Sequence, residues 1–493
     1  MRRGVLAGVA ILVVAGLVVS LATGLARTAW TAGLYRAGLL VDGGASTVPP
    51  GMFSQTPTAP SVAPATLKPV LGTVDDEPDP KAATLRKLLA HVPGGNVGTI
   101  AYEVADALTG TVITGQRAGT GMMPASTLKI LTTTALLSEL GPDATFDTSV
   151  VEESAATSVG ASASASPTTT SATKSRIVII GGGDPYLETT TDASAYPQRA
   201  SVDELAAAAA KALKKAGRTS VTVDWDASWF TGTGWNPAWP SNYRDVVSTT
   251  SSLWVDEGKL PSGARSTQPA HDAAAAFAKA LTKHGVKATV GKSDPGFAAS
   301  KAGQSATELA TVHSMPLSEI VNYVLLHSDN DGAEVLFRQL GRAVGGNGSI
   351  GSAQKALHTV LSRLGLWDAA IKVDDGSGLS RGDRVPPATL VKAVDLAMSE
   401  AHPELRPVIL GLPLAGVDGS LAGRFFSSGT SAALGEVHAK TGTLTGTHAL
   451  AGYVLTKQGS LVSFAFVVNN AGNGYDARVW LDRATAALAS CGC

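Results

Sequence analysis

The motifs Ser126-Thr127-Leu128-Lys129, Ser328-Asp329-Asn330 and Lys440-Thr441-Gly442 follow one another in a chain of 493 residues. Each is weak by itself, because Ser-x-x-Lys and Lys-Thr-Gly recur by chance in many proteins. In this order they supply a nucleophile beside an amine, a second proton carrier, and a cationic strand edge with a hydroxyl group. Together the three motifs constrain the fold most strongly, and they indicate acyl transfer through a serine.

The first motif stands at a predicted helix start. Pro124-Ala125-Ser126 opens an apolar run, Thr127–Leu140, which ends at Gly141-Pro142, a usual helix terminus. Ser126 and Lys129 then share one face about one turn apart, so the amine can take the serine proton. The helix N-terminus favours negative charge on the group that the serine attacks. Taken alone, the pattern also fits an ordinary amphipathic helix with a serine near its start.

The second motif lies in a predicted helical region, after apolar residues and before a predicted buried helix. Ser328 can relay a proton to a leaving amine. Asn330 can hold the amide carbonyl of a substrate, or it can steady Lys129. A polar junction between two helices explains the same residues without any catalysis.

The third motif ends a predicted strand. Lys440 and Thr441 can bind a carboxylate, and Gly442 lets a substrate approach the backbone closely. The N–H of Thr443 can pair with the N–H of Ser126 as an oxyanion hole. The alternative is a strand end followed by a glycine turn.

Composition and charge narrow the range of partners. The formal net charge is −1, so no basic surplus indicates nucleic-acid binding. The 9 histidines are scattered without the spacing of metal ligands, which predicts no metal site. Gly181-Gly182-Gly183-Asp184-Pro185 matches neither phosphate-binding glycine motif, and Pro185 lacks an N–H donor. We therefore expect a tight structural turn at these residues, and no cofactor.

The N-terminal residues predict export. Arg2 and Arg3 precede an apolar run from about Gly4 to Ala26, close to the roughly 20 residues that span a bilayer. Residues 1–27 are therefore predicted to be a signal-anchor in the cytoplasmic membrane or a cleaved signal peptide. Residues 28–80 are rich in Pro, Thr and Ala, which predicts a disordered linker. Both alternatives place the remainder at the extracytoplasmic face of a bacterial membrane or secreted into the cell wall or periplasmic space.

The middle of the chain is predicted to alternate strands and helices, whereas its end is predicted to have consecutive strands. The prediction has a short apolar strand, Ile177–Ile180, an Ala-rich helix, Val202–Ala216, and a strand, Ser220–Trp225, in a β-α-β pattern. A second Ala-rich helix, Ala270–His284, follows. Three sequential antiparallel strands are predicted near the C-terminus, over Gly435–Thr441, His448–Thr456 and Leu461–Asn469.

With these motifs, the chain resembles the D-alanyl-D-alanine carboxypeptidase/endopeptidase family of penicillin-binding proteins, peptidase family S13, from about residue 85 to residue 480. Six segments carry the resemblance: Met123–Lys129, Leu140–Asp143, Gly181–Pro185, Asp375–Arg381, Leu412–Leu421 and His438–Leu444. The resemblance implies an α/β fold of the α+β type, as in serine β-lactamases and DD-peptidases. This transpeptidase-like fold has an antiparallel sheet flanked by helices. A smaller α/β domain would be inserted between the first and second motifs.

The resemblance also implies domain boundaries. The DD-peptidase domain is predicted to span residues 81–145 and 306–493, and the insert residues 146–305. Fuller members of the family nest a third, mostly β domain within this insert. Here Ser252–Ala270 passes quickly into a helix without extra strands, so we expect the third domain to be reduced or absent.

Carried over residue by residue, the resemblance implies a catalytic set for a serine-type D-Ala-D-Ala carboxypeptidase. Ser126 would be the nucleophile, acylated by the D-Ala-D-Ala end of a peptidoglycan stem peptide. Lys129 would be the general base, Ser328 a proton relay, and Asn330 the other part of the second element. Water would then release the acyl group. β-Lactams would acylate the same serine as covalent inhibitors.

The substrate-binding residues follow in the same way. Lys440 and Thr441 would bind the terminal carboxylate, and Gly442 would let the substrate approach the backbone closely. The N–H of Thr443 would join that of the nucleophile as the oxyanion hole. Some members read the stem-peptide side chain with an acidic residue after a Trp-rich segment. Asn242 stands near that place in this chain, with Asp245 a little later, which leaves the charge preference of the pocket open.

Three other functions remain open: two enzymatic activities and one role without catalysis. A DD-endopeptidase would apply the same acyl step to a cross-link. A class A β-lactamase needs a glutamate well after the second motif, but Leu364–Arg381 offers only Asp368, Asp374 and Asp375 as acidic residues. A catalytically inert scaffold that binds peptidoglycan would be expected to carry a broken motif, and all three motifs are intact.

Overall fold

The computed structural model describes residues 80–93, 97–153, 175–297 and 306–492. The predicted signal or anchor segment, residues 1–27, and the predicted linker up to residue 79 lie outside these ranges. Within the ranges, none of the helices combines the length and the apolar character needed to cross a membrane.

The first sheet carries the third motif. Its strands are β1 (Thr99–Asp106), β2 (Val112–Gln116), β8 (Val437–Leu444), β9 (Thr447–Leu455) and β10 (Leu461–Asn469). They lie in the order β2-β1-β10-β9-β8, and each neighbouring pair is antiparallel. The three sequential antiparallel strands predicted near the C-terminus are confirmed. Lys440 pairs with Ala451 in the edge strand β8.

Helices cover both faces of this sheet. In chain order the helices of the described residues are α1 (Ala82–Ala90), α2 (Leu128–Leu140), α3 (Val202–Lys215), α4 (Pro269–Lys283), α5 (Leu317–His327), α6 (Asn330–Ala343), α7 (Ile350–Arg363), α8 (Pro387–Met398), α9 (Arg406–Leu410) and α10 (Gly474–Ala489). One face of the sheet, with Ala451 and Ala465, shares a hydrophobic core with α2, α5, α6, α7 and α8. The other face packs Phe466 against Trp480 of α10 and Leu85 of α1. Burial of both faces leaves the edge strand β8 beside the start of α2.

The second sheet lies between the first two motifs in the sequence. Its strands are β3 (Asp147–Glu153), β4 (Ser175–Gly181), β5 (Ser220–Asp226), β6 (Lys287–Ser293) and β7 (Ala306–His313), in the order β6-β5-β4-β3-β7. The pairs β4–β5 and β5–β6 are parallel and are connected by α3 and α4, which confirms the predicted β-α-β pattern. The strand β7 extends the sheet past residue 305, the predicted end of the insert. The domain division itself stays a prediction.

Both sheets with their flanking helices confirm the predicted fold class, an α/β fold of the α+β type. The first sheet is wholly antiparallel, as the transpeptidase-like prediction requires. The second is mixed, because its crossover helices impose parallel pairing.

The glycine turn after β4 ties the second sheet to α6. A Cβ on Gly182 would lie 2.3 Å from Asp147 O, and Gly183 adopts a positive φ of 86°. The side chain of Gln339 in α6 donates hydrogen bonds from Nε2 to Gly182 O at 2.6 Å and to Gly183 O at 3.1 Å. These contacts occupy the space around the glycines, which accords with a structural turn.

We predict that Gly182→Ala lowers the melting temperature, because its methyl group would overlap a backbone oxygen that cannot move alone. Overpacking of this kind costs about 1–3 kcal/mol. The control is Gly351→Ala in the first turn of α7, where a Cβ meets nothing within 4 Å and alanine favours the helix. Thermal unfolding of both variants measures the difference. Equal melting temperatures would contradict the tight packing at Gly182.

Candidate active site

The nucleophile segment bends sharply before α2. One short helical turn, Ala125–Thr127, leads into the helix, and Ala125 adopts a φ of 48° in the left-handed region. The hydroxyl of Thr127 donates to Pro124 O at 2.8 Å and closes the turn. Ser126 is half-buried, so its hydroxyl is held by the fold while still lining an open cavity.

Lys129 is wholly buried beneath Ser126 and has three partners. Its Nζ lies 3.0 Å from Ser126 Oγ, 2.8 Å from Asn330 Oδ1 and 2.8 Å from Ser377 O. The structure therefore joins the first and second motifs through this amine. Of the two uses predicted for the Asn330 side chain, contact with Lys129 is the one that the structure contains.

Burial disfavours the charged form of an amine. It lowers the pKa of Lys129 to about 8, although nearby carboxylates favour the charged form. Those carboxylates belong to Asp329, Asp375, Glu334 and Asp331. About one tenth of Lys129 is therefore neutral at pH 7, and this neutral form is the one that can act as a general base.

The partners of Lys129 also orient its lone pair. Ser377 O can only accept a hydrogen bond, and so can Asn330 Oδ1. The amide of Asn330 is fixed in this orientation because its Nδ2 donates to Val246 O at 3.0 Å. In the neutral amine these acceptors take both N–H groups. The lone pair then points toward the hydroxyl of Ser126.

The carbonyl of Ser377 is itself held in place by buried groups. Glu334 Oε1 accepts hydrogen bonds from Gly376 N at 3.0 Å and from Ser377 N at 2.8 Å. The hydroxyl of Thr132 donates to Gly376 O at 2.8 Å. Burial and the charge of Asp375 raise the pKa of Glu334 to about 8. Sequence reasoning singled out this loop as a family segment but assigned no role to Ser377.

The second motif lies at the predicted junction between helices. Ser328 ends α5 in the left-handed conformation, with a φ of 57°. Asp329 caps α6 by accepting hydrogen bonds from Asp331 N and Gly332 N. Because the two helices meet at this point, Ser328 and Asn330 both line the cavity that Ser126 faces.

The third motif divides into buried and exposed parts. Lys440 is wholly buried, and its Nζ donates to Thr441 O at 3.0 Å. Burial and the positive charge of Lys129 hold the pKa of Lys440 well below its usual value. Thr441 lines the cavity and donates from Oγ1 to Ser420 Oγ at 2.8 Å. Thr441 therefore presents the surface that a ligand meets, with Lys440 behind it.

Gly442 brings β8 against the nucleophile segment. A Cβ at this position would lie 2.6 Å from Pro124 O and 3.3 Å from the Cβ of Ala125. No residue larger than glycine fits without displacing that backbone. Thr443 follows at the exposed edge and lines the cavity with Ser126.

The cavity over Ser126 has a volume of about 480 Å³. It is lined by Ser126, Asn242, Tyr243, Asp245, Val246, Ser328, Asn330, Leu379, Thr441, Thr443, Leu444 and Thr445. The structure therefore brings Asn242, the tentative residue, into the same cavity as the three motifs. Tyr243, Val246 and Leu379 were not predicted as site residues, because apolar and aromatic wall residues have no distinctive sequence pattern.

A tryptophan in the segment between β5 and β6 holds one wall of this cavity. Trp239 Nε1 donates to Asp375 Oδ2 at 2.7 Å. The ring of Trp239 packs with Val247 and Leu379 in a small buried cluster. Asp375 also accepts from Gly378 N and Ser380 N, each at 2.7 Å. The wall and the loop that carries Ser377 are thereby fastened to one carboxylate.

Three carboxylates near the second motif form an acidic group. Glu257, Asp329 and Asp331 place ligand atoms within 4.8 Å of one another. Arg265 forms an ion pair with Asp331, and Lys259 Nζ lies 2.6 Å from Glu257 Oε2. Asp329 accepts hydrogen bonds from the hydroxyl of Tyr186 at 2.8 Å and from Gly332 N at 2.7 Å. The predicted lack of a metal stays a prediction.

Known proteins resemble the chain along most of its length. The model of the D-Ala-D-Ala carboxypeptidase 3 (S13) family matches residues 81–261 and 247–488. The carboxypeptidase DacB of Mycolicibacterium smegmatis is 32% identical over 445 residues, which are 88% of this chain and 90% of that protein. A D-alanyl-D-alanine carboxypeptidase of an Actinomadura species is 29% identical over 444 residues, covering 75% of this chain and 77% of that protein.

A solved structure shares the fold. Penicillin binding protein 4 from Haemophilus influenzae superposes with a TM-score of 0.62 at 20% identity, over 81% of this chain and 98% of that one. This similarity independently confirms the predicted fold class. From the family match and the relative at 32% identity, the chain belongs to the D-Ala-D-Ala carboxypeptidase 3 (S13) family, as predicted.

Proposed function

We propose that this protein is a serine-type D-Ala-D-Ala carboxypeptidase that trims peptidoglycan stem peptides and binds penicillin covalently. One observation carries the proposal: Lys129 Nζ lies 3.0 Å from Ser126 Oγ, with its other hydrogens held by Asn330 and Ser377. Family membership and relatives named D-alanyl-D-alanine carboxypeptidase support it. So does the similar fold of penicillin binding protein 4 complexed with a β-lactam, at a TM-score of 0.58.

Acylation begins with the attack of Ser126 Oγ on the carbonyl carbon of the penultimate D-Ala. The serine proton passes to the lone pair of Lys129, and the carbonyl oxygen gains negative charge between the amides of Ser126 and Thr443. When the C–N bond breaks, Ser328 donates its proton to the departing D-Ala amine. Lys129 replaces the proton on Ser328. The products are an ester on Ser126 and free D-Ala.

Deacylation returns the enzyme to its starting state. A water molecule takes the place of the departed amine and gives a proton to Lys129 as it attacks the ester. Lys129 then protonates Ser126 Oγ, and the shortened stem peptide leaves. A β-lactam amine stays tethered after its ring opens, so it obstructs this water. The same site therefore forms a persistent penicilloyl ester.

In this proposal the terminal carboxylate of the substrate binds at Thr441, with Lys440 behind it. The Thr441 hydroxyl reaches the cavity, and the buried amine adds positive charge once a carboxylate arrives. Anion binding would raise the pKa of Lys440, which burial and Lys129 hold low in the free protein. Substrate binding and protonation of Lys440 are therefore linked.

The contacts of the acidic residues argue against a β-lactamase. Asp375 accepts hydrogen bonds from Trp239 and from two backbone amides, so its two oxygens hold the cavity wall and its own loop in place. Asp374 Oδ2 accepts from Ser380, and Asp368 Oδ1 caps its own turn at Ala370 N. None of these three aspartates is among the described residues that line the cavity over Ser126, so none faces the water that would attack the ester. The intact contacts of the motifs argue equally against an inert scaffold.

The same acyl step serves a DD-endopeptidase when the leaving amine belongs to a cross-linked stem peptide. The proposal therefore includes cleavage of cross-links as a second use of the site. Only the identity of the leaving amine differs between the two reactions.

We predict that a fluorescent penicillin labels one serine per molecule, and that Ser126→Ala abolishes both labelling and the release of D-Ala. The control is Ser362→Ala on the exposed side of α7, which should label as the unchanged protein does. Gel fluorescence and a D-Ala assay measure the two activities. Rapid penicillin turnover without a lasting adduct would support a β-lactamase, and no labelling would support a scaffold.

We predict that kcat for D-Ala release, measured at saturating substrate so that the protonation of Lys440 on binding does not enter, rises with pH and levels off above about pH 8, because only neutral Lys129 accepts the serine proton. Below that pH the rate should fall about tenfold per unit. Asn330→Asp puts a carboxylate against the amine, raises the pKa of Lys129, and should move the rise to higher pH. Initial rates from about pH 6 to pH 10 test this. A profile that falls with pH would exclude Lys129 as the base.

We place the reaction outside the cytoplasmic membrane, where peptidoglycan lies. The apolar run between Arg3 and Arg27 supports export. Residues 1–80 fused to a reporter enzyme that is active only outside the cytoplasm should give activity. Replacing Val13 and Val14 with Arg should abolish it, because charges in the apolar run oppose insertion. Equal activity of both fusions would contradict the export proposal.

A further inference from the structure

The backbone before Ser126 is held on both sides. Met122 forms an antiparallel bridge with Val385, with Met122 N donating at 3.1 Å and Val385 N donating back at 2.7 Å. The next residue, Met123, is bonded by a side chain instead of a strand. Asn469 Oδ1 accepts from Met123 N at 2.8 Å, and Asn469 Nδ2 donates to Met123 O at 3.1 Å.

The side chain of Asn469 makes the two hydrogen bonds that a neighbouring strand would otherwise make with the backbone of Met123. It is the last residue of β10 and pairs with Thr447 in β9. Its Nδ2 also lies 3.4 Å from Thr447 Oγ1, which in turn contacts Met123 Sδ at 3.3 Å. Because the Met123 N–H can only donate and its carbonyl can only accept, one orientation of the amide satisfies both bonds.

The backbone conformation of Ala125, two residues after Met123, needs to be held by its surroundings. Ala125 has a φ of 48°, which an alanine adopts reluctantly because its Cβ crowds the backbone. Pro124 has no N–H, so the backbone between Met123 and Ala125 lacks one of its usual bonds. Conformations of this kind persist only where the surrounding structure fixes them. Met123 is the nearest preceding residue with both backbone groups bonded to the sheet.

We propose that Asn469 is a positioning residue for the nucleophile. Its amide holds Met123 by both backbone groups, and this fixes the turn at Ala125 that sets Ser126 Oγ against Lys129 Nζ. The inference rests on the proposed function, because it concerns the rate at which Ser126 is acylated. Asn469 acts only through the backbone and does not line the cavity in the described residues.

The test compares Asn469→Ala and Asn469→Asp with Asn470→Gly. The control changes the adjacent residue, Asn470, whose φ of 55° suits glycine and whose Nδ2 donates to Thr99 Oγ1 at 3.3 Å. The measured quantities are the acylation rate constant with a fluorescent penicillin, the final number of labels per molecule, and the melting temperature. A misplaced nucleophile is expected to slow acylation about 10- to 100-fold.

Asn469→Ala should slow labelling by that factor and still reach one label per molecule. Asn469→Asp should be slowed at least as much near pH 8, because its ionised second oxygen faces Met123 O. Asn470→Gly should stay within about twofold of the unchanged protein. A uniform loss of fold would instead reduce the final number of labels and leave the rate of the remaining fraction unchanged.

The outcomes separate this inference from the proposed function. If the unchanged protein is not labelled, the proposed function fails. If it is labelled and Asn469→Asp acylates at the same rate, the positioning role of Asn469 is overturned. Should Asn469→Ala prove unfolded, Asn469→Asp decides alone, because it preserves the volume and the bond from Met123 N.

Discussion

The buried amine of Lys129 is the contact on which the site depends. It meets Ser126, Asn330 and Ser377 within 3.0 Å, and these partners come from three separate parts of the chain. Burial of a lysine is costly unless its hydrogens are satisfied. Here the same burial brings its pKa to about 8 and makes the neutral, proton-accepting form available. Two acceptor-only partners then leave a single direction for the lone pair.

Elements far apart in sequence hold these partners. The carbonyl of Val246 orients Asn330, and Glu334 fixes the loop that offers Ser377 O. Trp239 fastens that loop to the cavity wall through Asp375. Residues between the first two motifs therefore contribute directly to the site. They supply part of the cavity and fix the orientation of a group that touches the base.

The sequence predicted the parts of the site that depend on side-chain identity. Ser126, Ser328, Asn330, Thr441 and Asn242 all reach one cavity, and the β-α-β pattern is as expected. The backbone carbonyls of Ser377 and Val246 carry no sequence signal, so only the fold reveals them. Strand β7 has few buried residues and so lacked a clear alternation. Helix α8 begins with Pro387 and has buried Leu390, Val394 and Ala397 at helical spacing, so the sequence did carry a signal for it. Burial of Lys440 behind Thr441 depends on packing that spacing does not encode.

Direct titration of the Lys129 side chain tests this account most sharply. Lysine labelled with ¹³C at Cε can be followed by NMR across the pH range, with the Lys129 signal assigned by its loss in Lys129→Met. The account predicts a midpoint near pH 8 for this residue in the free protein. A midpoint near that of an ordinary lysine, about 10.4, would contradict it, because the amine would then be charged and unable to accept the serine proton.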